Sequence, residues 1–487
     1  MTSNARQIGL FPATMLVAGN MIGAGIFMMP TVMASIGSIS SLGWFVTAPG
    51  AFIMGYMFAR LGHASPKAGG PYAYAREALG DFAGFQCNLL YWFSNVIANI
   101  AIATSVTGYL TVFIPALRSP FAGAFCTVLV IWFSAGLNII GPRLVTRFET
   151  FTTILGIGPI AAVGVGGWFF FNPGIFDAGW NPNGFKEYEA VGAAVSIMFW
   201  SFMGVESACV AATVVKDPEK NIGRATLLGV LIAALVYVLS TIAIMGIIPN
   251  DELRHSSAPF ADAAMRAIGP VGSIVITICA IIKASGCLGG WTLINAETAL
   301  ATANDGLFPA LFARTDSRGV PVRGLVIVAV IMSAVVFLTV SPTIGETFMV
   351  LADIAVLLVL TPYIFAAVSV FHYVNEKVLA PQVTWVALLT IAYCLAVIVV
   401  SGRNGRRHQH GAGPRDRAAV PRLSRLHQAG RRARPASGGA GDAERHRPAI
   451  ARAHRPPLSG PGAIPAAWVR STARSRRRRR SRGRPRG

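Results

Sequence analysis

Apolar runs of 18 residues or more recur along the first 400 positions of this 487-residue chain. Each is long enough to cross a bilayer core of about 30 Å. Lipid offers no partner to a backbone N–H or C=O, so such runs must pair their own groups as helices. The chain is 53% hydrophobic and only 13% charged, unlike a soluble globular domain. The expected fold is an all-α polytopic membrane protein. The apolar segments fall at roughly 8–34, 40–60, 83–114, 121–141, 150–171, 191–214, 226–248, 270–301, 323–341, 346–373 and 383–401. Residues 1–10 lack the charged, apolar and small-residue pattern of a cleavable signal peptide.

The formal net charge of +21 is confined to one end. Residues 1–400 carry 18 basic and 18 acidic side chains, whereas residues 401–487 carry 24 arginines and three acids. With the N-terminus in the cytoplasm, 13 basic loop residues lie inside, among them Arg60, Arg76, Arg147, Lys220 and Arg314, and four outside. The positive-inside rule favours that orientation. An eleventh span would then carry the arginines out, against the same rule. Composition also changes abruptly after Ser401, to Arg, Pro, Gly and Ala without Lys. The expectation is a membrane domain over 1–401 and a disordered, low-complexity tail over 402–487, the tail being a reading-frame artefact in place of a twelfth span. Runs such as Arg476 to Arg480 ordinarily suggest nucleic acid or anionic lipid. This topology argues against a nucleic-acid partner. The six cysteines lie in apolar segments without a CxxC pair, so neither a metal site nor a cofactor is expected.

Residues 19–30 read GNMIGAGIFMMP, with three glycines and no charge inside the first span. Irregular backbone at membrane depth is tolerated only where it lines a cavity or is buried in protein. Five spans further on, residues 199–210 read FWSFMGVESACV, with Gly204 and the ionisable Glu206 in mid-span. Paired interruptions at corresponding places are the mark of inverted-repeat transporters. Repeats over 8–171 and 191–373 are therefore expected, with breaks at Gly23 and Gly204. Close helix packing through small residues is the bland alternative for the first motif. Broken helices expose N–H groups that attract a carboxylate and C=O groups that attract an ammonium. That pair of ends suits an amino acid or an amine.

Four ionisable side chains fall within spans: Glu206, Lys283, Glu297 and Asp353. Each is costly in lipid, about 2.5–3.5 kcal/mol at the harshest positions. Glu206 sits in the broken segment, where it could attract a cationic substrate or carry a proton. An ion pair between Lys283 and Asp353 is expected across helices, and Glu297 near the inner mouth. Trp200 and Trp291 are mid-span, and an aromatic face can hold a cation. Asn95 and Asn99 are one helical turn apart, as substrate ligands or interhelical hydrogen bonds.

Seven segments then resemble one family in order: GNMIGAGIFMMP, GGPYAYAREALG, FWSFMGVESA, KDPEKNIGRATLLGV, IAIMGIIPN, GCLGGWTL and ANDGLFPALFAR. The resemblance covers residues 6–401 and is to the basic amino acid/polyamine antiporters of the amino acid–polyamine–organocation superfamily. It implies a five-plus-five inverted-repeat fold with helices 1 and 6 broken. It implies exchange of arginine, lysine or ornithine for agmatine, cadaverine or putrescine across the inner membrane, by a multi-pass carrier that forms a homodimer and contributes to acid resistance. By that resemblance the backbone from Met21 to Gly25, Ala24 included, binds the substrate's amino and carboxylate ends. Trp200 stacks on the substrate, Met203 lines the pocket, Trp291 contacts the aliphatic or guanidinium part, and Asn99 is a ligand from span 3. Tyr91, Glu206 and Tyr363 match an inner gate, and Tyr72 a position linked to pH response. Three positions depart from that likeness: Ala24 stands where these antiporters usually have Ser, Asn95 replaces a small apolar or Cys residue of the arginine carrier, and Ala355 replaces its Ser, as in the cadaverine-type carrier.

The chain lacks a Walker-type phosphate loop, which disfavours direct ATP hydrolysis. The expected function is secondary active exchange by alternating access, without covalent chemistry. A proton-coupled importer of the same fold and a non-transporting amino acid sensor are the alternatives.

Overall fold

The computed structural model describes residues 9–409, apart from 24, 66–68, 211–214 and 341–342. The tail from 410 onward, including most of the expected artefact, lies outside the described residues. In chain order the helices are α1 (Leu10–Met21), α2 (Gly25–Ala34), α3 (Trp44–Ala64), α4 (Pro71–Leu79), α5 (Asp81–Leu110), α6 (Pro120–Ile140), α7 (Pro142–Gly166), α8 (Pro173–Ala178), α9 (Glu187–Phe199), α10 (Ser207–Val210), α11 (Pro218–Ile247), α12 (Asn250–Leu253), α13 (Pro259–Ile268), α14 (Pro270–Asn304), α15 (Val322–Leu338), α16 (Ile344–Asn375) and α17 (Val383–Gln409). No strand occurs among the described residues.

Ten helical stretches are long and apolar enough to cross a membrane; α15, with 17 residues, is a shorter eleventh. At 1.5 Å per residue α15 is about 26 Å long, which matches a bilayer core with little tilt. The chain is a multi-pass membrane protein. Proline opens α4, α6, α7, α11, α13 and α14. The first helical position needs no N–H, and the ring's fixed φ suits it.

Helices α5, α14 and α16 carry the protein interior. From Ser94 to Tyr109, α5 is buried all round except at Ile97. A helix that is apolar and buried on every side belongs at the centre of a bundle. By contrast α6, α7 and α17 leave large side chains exposed, among them Phe121, Phe133, Phe151, Ile154, Trp385 and Leu389. In a membrane these are the surfaces that meet lipid or another protein.

Three expectations are revised by the structure. The fifth span starts at Pro142 rather than near 150, so Arg143 and Arg147 stand on the first turns of α7. Their long stems can lie along the helix while the charged heads reach water. Second, α17 continues past Ser401 to Gln409. Third, Lys283 does not pair with Asp353. Its Nζ donates to the Gly19 carbonyl at 3.1 Å and to Thr153 Oγ1 at 3.2 Å. Asp353 Oδ1 has no hydrogen-bond partner among the described residues. A helix end with a spare carbonyl sits closer to the ammonium than the acid does. Glu297 stands exposed toward the Asn304 end of α14.

Candidate functional site

The first apolar segment is two helices. α1 stops at Met21, and Ile22, at φ −77° and ψ 48°, takes the chain out of helical geometry before α2 begins at Gly25. The sixth segment breaks likewise. α9 tightens into a 3-10 turn over Trp200–Phe202, Met203 is extended, and Gly204 has φ +99° before α10 starts at Ser207. A side chain at Gly204 would be strained by that φ, so the break needs glycine. The two interruptions are joined by Asn20 Nδ2, which donates to Ser207 Oγ at 2.8 Å. Tyr237 of α11 donates to the Met21 carbonyl at 3.0 Å and holds the end of α1.

Between the breaks lies a cavity lined by Asn20, Met21, Gly23, Gly25, Asn95, Ala98, Ile102, Trp200, Met203, Cys287 and Trp291. The structure therefore brings together Met21, Gly25, Asn95, Trp200, Met203 and Trp291 of the expected site. The Trp200 indole lies directly on Gly25, where an added Cβ would meet Nε1 at 2.3 Å. Trp291 lies over Gly204, with Cζ2 3.2 Å from an added Cβ. Trp200, beside the second break, thus covers the start of α2 at the first, and Trp291 of α14 covers the second. Among the described residues, neither amide atom of Asn95 nor of Asn99 has a hydrogen-bond partner. Asn95 lines the cavity; Asn99, one turn on, is fully buried beside it on α5 without lining it. Ala355 does not line the cavity either, and its carbonyl accepts from Ser94 Oγ at 2.8 Å. Ala24 lies outside the described residues. Asn20, Cys287 and Tyr237 were not singled out from sequence; Tyr237 was findable as the sole aromatic of an otherwise aliphatic span.

Tyr91 stands one turn before Asn95 on α5, toward the Asp81 end. Its hydroxyl donates to Glu206 Oε1 at 2.8 Å, and the Tyr363 hydroxyl of α16 donates to Oε2 at 2.6 Å. All three side chains are buried. Two hydroxyls on one carboxylate give short, charge-assisted bonds that join three elements at one point. Further along the same direction, Tyr72 donates to Asp305 Oδ2 at 2.7 Å, and Arg76 Nη1 pairs with the same oxygen at 2.5 Å. Burial and the Asp305 carboxylate push the Tyr72 hydroxyl well above its ordinary range, so it stays a protonated donor. Two groups of polar contacts thus lie in series at this end. At the opposite end a wider cleft is lined by Arg118, Arg254, His255, Asp262 and Gly345 among others.

Glu206→Gln keeps the shape but leaves one tyrosine hydroxyl facing an amide. It should lose one charge-assisted bond, about 1.5–3 kcal/mol. It should also alter the pH dependence of solute flux through the protein; a superimposable pH profile would mean that this carboxylate does not titrate in the working cycle.

Discontinuous helices around a midplane cavity, in an all-α bundle, define a carrier of small solutes. The comparisons with known proteins agree. Residues 8–410 match the family model "Amino acid permease". The chain is 34% identical over 406 residues to the putrescine transporter PotE of Haemophilus influenzae, covering 82% of this chain and 93% of that protein. It is 36% identical over 364 residues to the putrescine transporter PotE of Escherichia coli strain K12, covering 75% and 83%. It is 34% identical over 376 residues to the cadaverine/lysine antiporter of the same strain, covering 76% and 84%. The chain belongs to the amino acid permease family, in its basic amino acid/polyamine antiporter branch. It is a transporter and not an enzyme.

Proposed function

We propose that the protein exchanges a cationic amino acid for its decarboxylated amine by alternating access in the inner membrane. The observation that carries this reading is the cavity between the two helix breaks, walled by Trp200 and Trp291, with the bridged Glu206 three residues along from the lining Met203. A substrate carboxylate fits the N-terminal end of α2, where helical N–H groups lack partners. An ammonium fits the C-terminal end of α1. The second cationic group reaches the tryptophan faces. No carboxylate lines the cavity, so aromatic faces and backbone carbonyls are what would hold that charge. An amine product lacks the carboxylate and keeps the remaining contacts, which suits one site to both substrates.

In this reading the N-terminus is cytoplasmic, and the five-plus-five repeats place Tyr91, Glu206 and Tyr363 as the inner gate. Tyr72 with Asp305 then forms a second closure beneath it. The wider cleft beside Asp262 faces outside. Asn95, where the arginine carrier has a small apolar or Cys residue, supplies a polar amide on the cavity wall that bears on substrate choice. The relatives named for lysine, cadaverine and putrescine support those chemistries, and the guanidinium pair is equally compatible with the aromatic walls. A homodimer in the bilayer remains part of the proposal through family likeness alone.

Counterflow in proteoliposomes tests it. Uptake of labelled arginine, lysine or ornithine should require agmatine, cadaverine or putrescine inside the vesicle. Uptake into amine-free vesicles driven by a pH gradient would replace exchange with proton-coupled import. Binding without flux, in correctly inserted protein, would point to a sensor.

A further inference from the structure

The hydrogen-bond ladder of α1 ends with Ile22 N–H on the Ala18 carbonyl at 2.7 Å. The Gly19 carbonyl comes next. In a continuous helix it would accept from residue 23, but the chain has turned away at Ile22. Its partner is Lys283 Nζ, reaching across from α14. The same ammonium donates to Thr153 Oγ1 of α7, so one group ties three helices. Lys283 is 1% exposed. Its stem lies over Gly156 of α7, where an added Cβ would stand 2.6 Å from Lys283 Cβ. Glu149, one turn before Thr153 on α7, lies against Gly290 of the same α14, where an added Cβ would stand 2.5 Å from its carboxylate.

Burying an ammonium costs more than burying an aliphatic chain of the same length. The charge is offset by where it sits, because the C-terminal end of a helix carries partial negative charge and spare carbonyls. A leucine or methionine would fill the same volume without that cost. The lysine is therefore doing something that packing alone does not require. The end it caps leads directly into Asn20 and Met21, which line the cavity.

We propose that Lys283 is the positioning residue of the exchange cycle: it fastens the free end of α1 to α14 and α7 while the Tyr91–Glu206–Tyr363 contact is shut, and its bond to Gly19 is broken and remade as α1 shifts. This rests on the exchange function proposed above. Lys283 does not line the cavity and touches no substrate. Its removal should slow turnover while sparing affinity.

The test compares wild type, Lys283→Met and the double variant Lys283→Met/Glu149→Gln, which also neutralises the half-buried acid one turn before Thr153 on α7. Ligand affinity is measured in detergent by calorimetry with arginine, lysine, ornithine and their amines, and exchange rate in proteoliposomes. Both variants should exchange at least tenfold more slowly than wild type, with Kd within threefold. Wild-type rates in the double variant would overturn the proposal, since the charge would then be structural only. So would a fall in affinity that matches the fall in rate, since Lys283 would then shape the site rather than the cycle. If neither variant folds, Thr153→Val decides: it removes one of the two bonds, and exchange should slow about threefold with Kd unchanged, a wild-type rate refuting the idea. Absence of exchange by the wild-type protein would instead remove the transport reading itself, and this proposal with it.

Discussion

Replacing Trp291 with alanine should weaken binding of the substrate cation about 30-fold, while phenylalanine should cost only about threefold to fivefold. A desolvated cation over an indole face is held by about 2 kcal/mol, and each 1.4 kcal/mol is a factor of ten in affinity. Trp291 is buried and its ring lies against the Gly204 turn, so water does not screen its inner face. Phenylalanine keeps a smaller quadrupole and part of the wall; alanine keeps neither. Calorimetric titration checks the ratio. Equal losses in the two variants would assign the effect to wall shape and remove the cation–π argument. Truncating a buried tryptophan also costs about 3–5 kcal/mol of stability, so ligand-free melting must be followed in parallel.

Gly25→Ala should reduce exchange about 100-fold without unfolding the protein. The new methyl would stand 2.3 Å from Trp200 Nε1 and 2.6 Å from Cδ1. An indole is rigid and cannot fold its end away, so the ring must leave the cavity wall. Overpacking of this kind costs about 1–3 kcal/mol when the core absorbs it. Here the part displaced is the wall that faces the substrate, so binding takes the loss. The ring is also held by an edge contact to Phe348, with centroids 5.8 Å apart. Tryptophan fluorescence would report the displaced ring. Unimpaired exchange in this variant would mean that Trp200 has a second position compatible with substrate.

These two residues show what the sequence discloses and what it hides. The breaks near Gly23 and at Gly204 are legible because glycine and an in-membrane acid are anomalous in lipid-spanning helices. Trp200 and Trp291 were legible for the same reason, as mid-span aromatics away from the interfaces. The apolar segments follow from length and hydropathy. What a single chain does not disclose is which helix faces which. Lys283 was assigned to Asp353 because opposite charges attract, and nothing in the residue order shows that a spare carbonyl on α1 lies nearer. Tyr237 holding the Met21 carbonyl is the same kind of fact, a meeting of residues 216 positions apart. Asn99 and Ala355 illustrate the converse. Asn99 stands one turn along α5 from Asn95 but beside the stripe of Asn95, Ala98 and Ile102 that lines the cavity, and Ala355 lies on α16, no residue of which lines it.

The helix ends around the cavity also bear on what an empty carrier can do. When a solute is present, its own polar ends bond to whichever backbone groups the interruptions leave open, beyond the Gly19 and Met21 carbonyls that Lys283 and Tyr237 already hold. An unloaded protein that closed on both sides would have to seal those remaining groups in a dry chamber, at a cost of about 1–3 kcal/mol for each one left bare. The return journey is then slow unless a second passenger boards. Strict one-for-one trading across the membrane would follow from the geometry of two broken helices, with no separate device to enforce it.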